Sequence, residues 1–163
     1  MYWGTILLLL IFAPKFQRMA IMQLHRTHND YGFFAADAGG NTLSIDIPVE
    51  QGGDGKGFRP MQLLLAGLGG CSAVDVVSIL KKQKQDVKGF SISVDGEREH
   101  GKEPSLWTDI QIVFDLTGDV EPAKAFRAVE LSMHKYCSVA ETLRRAGATL
   151  DWKVVVNGSP VNL

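Results

Sequence analysis

Hydrophobic positions in this chain follow two periods, and the order of those periods predicts its elements. Residues 22–28 (MQLHRTH) alternate weakly as a first strand, and Asn29-Asp30 is turn chemistry. Tyr31–Ala36 is aromatic-rich and strand-like; Ala38-Gly39-Gly40-Asn41 turns the chain into Thr42–Val49, where Leu43, Ile45 and Ile47 alternate with Ser44 and Asp46. These three segments predict an antiparallel meander. From Phe58 to Gln85 the period becomes helical, with Leu63, Leu64, Leu65, Leu68, Val74, Val76, Val77, Ile79 and Leu80 spread nearly all the way round. Pro60 fits the first turn of such a helix, and Lys81, Lys82 and Lys84 suit its negative C-terminal end. Alternation returns in Phe90–Arg98, after a turn at Val87-Lys88-Gly89, and again in Leu106–Leu116. Glu121-Pro122 opens a helix carrying Ala125, Phe126, Val129, Leu131 and Met133, which breaks at Tyr136-Cys137. Ser138-Val139-Ala140-Glu141 reads as a capping box for a short helix to Arg145, and Thr149–Val156 is a last strand.

The predicted order is βββ–α–ββ–αα–β, an α+β fold with antiparallel hairpins. So few strands cannot cover a helix that is apolar on every side. The pattern therefore predicts an obligate dimer in which the central helices of two subunits pack together. Gly67, Gly69 and Gly70 stand in the middle of that helix beside Cys71. Glycines there weaken a helix, so another backbone or a substrate is expected to come close. The loop Gln51–Gly57 (QGGDGKG) lacks phosphate-loop spacing and reads as a flexible connection.

With 163 residues the chain is sized for one domain, assigned to 19–163, behind a hydrophobic extension at 1–18. The run Tyr2–Ala13 is shorter than the ~20 residues of a membrane span, no Lys or Arg precedes it, and no A-x-A-like site follows. It is an upstream extension from a misplaced start codon, a weak anchor or a hydrophobic arm; Met19 and Met22 stand just before the first strand. A net charge of −1 supplies no basic surface for nucleic acid, and nothing else calls for a membrane partner. Two cysteines are too few for a disulfide-stapled scaffold and form no CxxC pair, which points to a reducing, cytoplasmic location.

The thiols are the chemically pointed residues. Cys137 lies just before a helix N-terminus, where free amides and the dipole lower a thiol pKa. Cys71, inside a helix, needs a nearby cation to become a thiolate, and an ionised Asp75 one turn on opposes it. On chemistry alone the pair is either reactive or two small buried hydrophobes. His25 and His28 supply only two metal ligands; His134, three residues before Cys137, is a candidate base or an ordinary surface or core histidine.

The string Pro60-x-x-Leu63-Leu64-x-Ala66-x-Leu68-x-x-Cys71, paired with Leu131-Ser132-x-x-Lys135-Tyr136-Cys137-Ser138-Val139 and the element order, resembles the OsmC/Ohr family over roughly residues 23–156. These are the osmotically inducible protein C and organic hydroperoxide resistance proteins, and the second string is closer to the OsmC-like branch. The resemblance implies an intertwined homodimer with a site at each end of the interface. It also implies a cofactor-free, metal-free thiol peroxidase for organic hydroperoxides in oxidative-stress defence. Cys71 would be oxidised to a sulfenate, Cys137 would resolve it as a disulfide, and a small or protein-borne dithiol would reset the pair. Characterised members place a glutamate after the helix-opening proline to hold an activating arginine; here Met61 and Gln62 follow Pro60. Arg59, beside the helix start, is the candidate to stabilise Cys71, with Arg26 of the first hairpin as the alternative. Met61 also favours a second possibility, a divergent dimer that binds a small apolar ligand or senses oxidants without efficient turnover.

Overall fold

A computed structural model describes residues 22–27 and 30–162. The apolar run at 2–13, Met19 and the His28-Asn29 pair lie outside them. The described chain divides into two units, one ending at Arg59 and one beginning at Pro60.

The N-terminal unit holds the predicted meander. Strands β1 (Met22–Arg26), β2 (Phe33–Asp37) and β3 (Thr42–Ile45) form an antiparallel sheet in that order, with Phe34 opposite His25 on one side and Ser44 on the other. Strand β3 ends sooner than its alternation predicts because Asp46 turns inward. Only 4% exposed, its carboxylate accepts the N–H groups of Ile47, Asp54 and Lys56 at 2.8, 3.1 and 3.2 Å. The glycine-rich loop is therefore a tethered one, not the flexible connection expected. Its Gly53 is buried so closely that a Cβ there would stand 2.1 Å from the Ile47 carbonyl oxygen. Phe58 closes the loop by pairing with β3, donating its N–H to Ser44 O and accepting that of Asp46.

The C-terminal unit is built on helix α1 (Pro60–Lys82) and a sheet of four strands in the order β4 (Asp86–Arg98), β5 (Trp107–Asp119), β6 (Thr149–Val156), β7 (Ser159–Val161). Strand β5 shows why one face of the sheet is sealed. Ile110, Ile112, Phe114 and Leu116 alternate inward and are all but inaccessible, while Asp109, Gln111 and Asp115 point to solvent. Against them pack Leu68, Val76 and Leu80 of α1 with Ala125, Ala128 and Val129 of helix α2 (Pro122–Leu131). The alanines leave room for the helices to approach closely.

Three features depart from the predicted pattern. The expected turn at Val87-Lys88-Gly89 is a bulge inside β4, which starts at Asp86. Strands β5 and β6 run parallel, because the helical segment between them carries the chain back to its starting end. A seventh strand follows the turn at Asn157-Gly158, where φ is +50° and +79°.

Helix α1 is enclosed on one stripe only. Leu68, Ser72, Val76 and Leu80 are inaccessible, but Leu64, Val74 and Val77 remain 43%, 68% and 47% exposed. By length and apolarity α1 could cross a membrane, yet that stripe lies in the protein core. Of the central glycines, Gly69 faces Val94 and Ile92, whereas a Cβ at Gly67 or Gly70 would meet no neighbouring atom within 4 Å. The expected close approach at this point is therefore made by the chain itself only at Gly69.

Candidate functional site

Cys71 and Asp75 are one helical turn apart on α1, so their side chains emerge on the same flank. Ser72, beside Cys71, points inward. The second half of the site comes from an irregularity. After Leu131 the chain continues through a π-helical turn, Ser132–Tyr136, closed by the Cys137 N–H donating to Ser132 O at 2.9 Å. Such wide turns carry one extra residue and re-aim the side chains after them. The backbone then leaves helical geometry at Cys137 (φ −70°, ψ 101°) and restarts as α3 (Ser138–Arg145).

Cys137 itself is the N-cap of α3: its sulfur accepts the Ala140 N–H at 3.4 Å. This corrects the capping box expected at Ser138. Ser138 is already helical, and Glu141 pairs with Arg145 at 2.8 Å instead of reaching back. The geometry brings Cys71 Sγ, a carboxylate oxygen of Asp75 and Cys137 Sγ together, all within 4.8 Å of one another. Asp75 Oδ2 accepts the hydroxyl of Ser132 at 3.0 Å, which ties α1 to the π turn. The Ser72 hydroxyl is 2.9 Å from Leu68 O, 3.4 Å from Cys137 Sγ and 3.6 Å from Met133 Sδ. With one proton it serves one of these at a time.

The two sulfurs differ in access. Cys71 is half-buried, Cys137 only 3% exposed. Burial pushes the Cys137 thiol above its ordinary value. The Ser72 hydroxyl opposes this, Cys71 adds to it through a hydrogen bond and through its charge, and the Ala140 N–H again opposes it. The expectation that the helix N-terminus would depress this thiol is thus overturned: the amide is present, but loss of water outweighs it.

Other sequence candidates fall elsewhere. His134 is exposed and sits edge-on to Trp152, ring centres 6.3 Å apart. His25 stacks on Phe34 in the N-terminal unit, and Arg26 there pairs with Asp30 at 2.6 Å. Arg59 is exposed and is the last residue of that unit. Ser72 and Ser132 were missed in the sequence. Ser132 had one signal: it precedes Cys137 by five residues, the span of a π turn.

Residues 53–153 match the family described as OsmC-like protein. The chain belongs to the OsmC family. An Escherichia coli K12 relative, Protein YhfA, is 43% identical over 125 residues, 76% of this chain and 90% of that protein. Among solved structures, a hypothetical protein of Aquifex aeolicus VF5 superposes with a TM-score of 0.71 at 32% identity, over 85% of this chain and 98% of its own. An organic hydroperoxide resistance protein from Legionella pneumophila, also described as a predicted redox protein, shares the fold with a TM-score of 0.61 at 21% identity, over 85% and 96%. The α+β architecture read from the element order is thus that of the OsmC family.

Proposed function

We propose that this OsmC-family protein is a cofactor-free thiol peroxidase that reduces organic hydroperoxides in the cytoplasm as part of oxidative-stress defence. The carrying observation is the pair of reduced sulfurs within 4.8 Å on separate elements, one half-buried and one buried. The Cys71 thiolate attacks the outer peroxide oxygen, the O–O bond breaks, and the departing alkoxide takes a proton to become an alcohol. Cys71 is left as a sulfenic acid. Cys137 then displaces hydroxide from that sulfur, which leaves as water with the thiol's proton, and a disulfide forms. An external dithiol reduces it by two exchanges.

The ionisation of Cys137 suits this order. Two of the influences that raise it, a hydrogen bond to Cys71 and the charge on Cys71, are lost when Cys71 becomes a neutral sulfenic acid. The Ser72 hydroxyl and Ala140 N–H remain to support a thiolate. Burial, the largest influence on this thiol, stays in place, so oxidation of Cys71 eases the ionisation of Cys137 only in part.

Two copies are needed. The exposed stripe Leu64, Val74, Val77 and the open backbone at Gly67 and Gly70 are the surface a second α1 covers. Pro60 and Cys71 are eleven positions apart, about 16 Å of helix rise. That span separates Arg59 from Cys71 along one helix, so the guanidinium we assign to the thiolate reaches it only once two copies pack together.

The test is consumption of cumene hydroperoxide with excess dithiol. Consumption that vanishes in Cys71→Ser and stalls after one turnover in Cys137→Ser is expected. Wild-type consumption no faster than that of Cys71→Ser would overturn the assignment and favour the second possibility, apolar-ligand binding without turnover. A specific feature supports that alternative: an open cavity of about 330 Å³ lined by Phe126, Trp152, Val154, Pro160 and Val161.

A further inference from the structure

We propose that the reduced Cys71–Cys137 pair, together with Asp75, binds one thiophilic divalent cation of the zinc class. Neither the family match nor the peroxide chemistry assigns such a site, and it does not depend on that chemistry. Sequence inspection offers no metal motif, because the two cysteines are distant in the chain and Asp75 stands alone; only the π turn delivers Cys137 to the flank of α1 where Cys71 and Asp75 already sit.

The donor set suits a borderline-soft ion. Zinc takes thiolate sulfur at about 2.3 Å and carboxylate oxygen at about 2.0–2.2 Å, which sets tetrahedral ligand atoms roughly 3.5–3.8 Å apart. The three donors already lie within 4.8 Å of one another, so the widest gap closes by about 1 Å through side-chain rotation. Three protein ligands leave a fourth position open, as in zinc sites that keep an exchangeable ligand. An outer shell is also in place. Ser132 donates its hydroxyl to Asp75, and Ala140 donates its N–H to the Cys137 sulfur. Partners of this kind orient ligands and typically change metal affinity 10- to 100-fold.

Binding involves no electron transfer. The cation replaces the protons still held by the two sulfurs, which go to solvent, and forms two metal–sulfur bonds and one metal–oxygen bond. The same two sulfurs cannot at once be a disulfide. Metal occupancy and the oxidised pair are therefore mutually exclusive, and a bound ion shields Cys71 from peroxide until it leaves.

The experiment uses the full chain, reduced and under anaerobic conditions. Cadmium is titrated while the ultraviolet thiolate-to-cadmium charge-transfer band is followed, and zinc affinity is measured by competition with a chromophoric chelator. Saturation at one ion per chain is expected, with none bound after oxidation to the Cys71–Cys137 disulfide, a comparison that needs no variant. The band should shrink by about half in Cys71→Ser or Cys137→Ser. Asp75→Asn should keep the band but weaken zinc at least tenfold, with near-ultraviolet circular dichroism confirming the fold. Absence of saturable binding, binding unchanged by disulfide formation, or undiminished zinc affinity in Asp75→Asn would each overturn the site.

Discussion

Val74→Asp is the substitution that most directly tests the proposed dimer. Val74 is 68% exposed on the apolar stripe of α1, so little in the single chain depends on it. Complete burial of a valine is worth about 1.5–3 kcal/mol, so covering its exposed two-thirds contributes about 1–2 kcal/mol per subunit. A two-fold interface contains the residue twice, giving about 2–4 kcal/mol per dimer, or a dissociation constant weakened roughly 30- to 1,000-fold. An introduced carboxylate also has to be stripped of water at the interface, so the upper end is the expected result. Sedimentation equilibrium over a wide concentration range measures this directly, with Ser91→Asp on the exposed face of β4 as the control. Thermal unfolding of the isolated subunit should be nearly unchanged. A Val74→Asp dimer as tight as wild type, or a wild type that is monomeric at micromolar concentration, would refute the assignment of this stripe to a second copy.

Three further outcomes follow from the site and its support. Native Cys137 keeps its proton to higher pH than the same thiol in the unfolded chain, so its contribution to stability is fully present below the ordinary thiol pKa of about 8.5 and declines as pH rises beyond it. Urea midpoints of wild type relative to Cys137→Ser should therefore draw together from about pH 8 upward. Cys71→Ser should lower the titration midpoint of Cys137 and Ser72→Ala should raise it, since the first removes influences that hold the proton on and the second removes one that eases it off; pH-dependent alkylation followed by mass spectrometry reads both. Asp46→Ala strips an acceptor from three backbone N–H groups and should destabilise the N-terminal unit by about 2–3 kcal/mol, seen as faster hydrogen exchange at residues 53–57.

What could be read from the sequence is what depends on period and spacing. Strand β6 was legible to the residue, and α1 from its proline to its terminal lysines, because long periodic runs leave one compatible geometry. The parallel β5–β6 pairing was hidden because alternation says which face a residue takes, not which way its neighbour runs. Strand β7 is three residues long, too short to show a period. At the site, the two cysteines were visible as candidates, but the sign of the Cys137 ionisation shift was not. Chain position locates a thiol at a helix N-terminus and so predicts a depressed pKa. The sign depends instead on how much water survives there. A π turn that inserts one extra residue drives Cys137 into a pocket closed by Leu68, Ser72 and Met133, and burial prevails over the Ala140 amide. The same extra residue brings Ser132 to Asp75 and sets both sulfurs beside one carboxylate. A single irregular turn thus supplies the contacts between the two halves of the site, while the regular elements on either side of it supply only the scaffold.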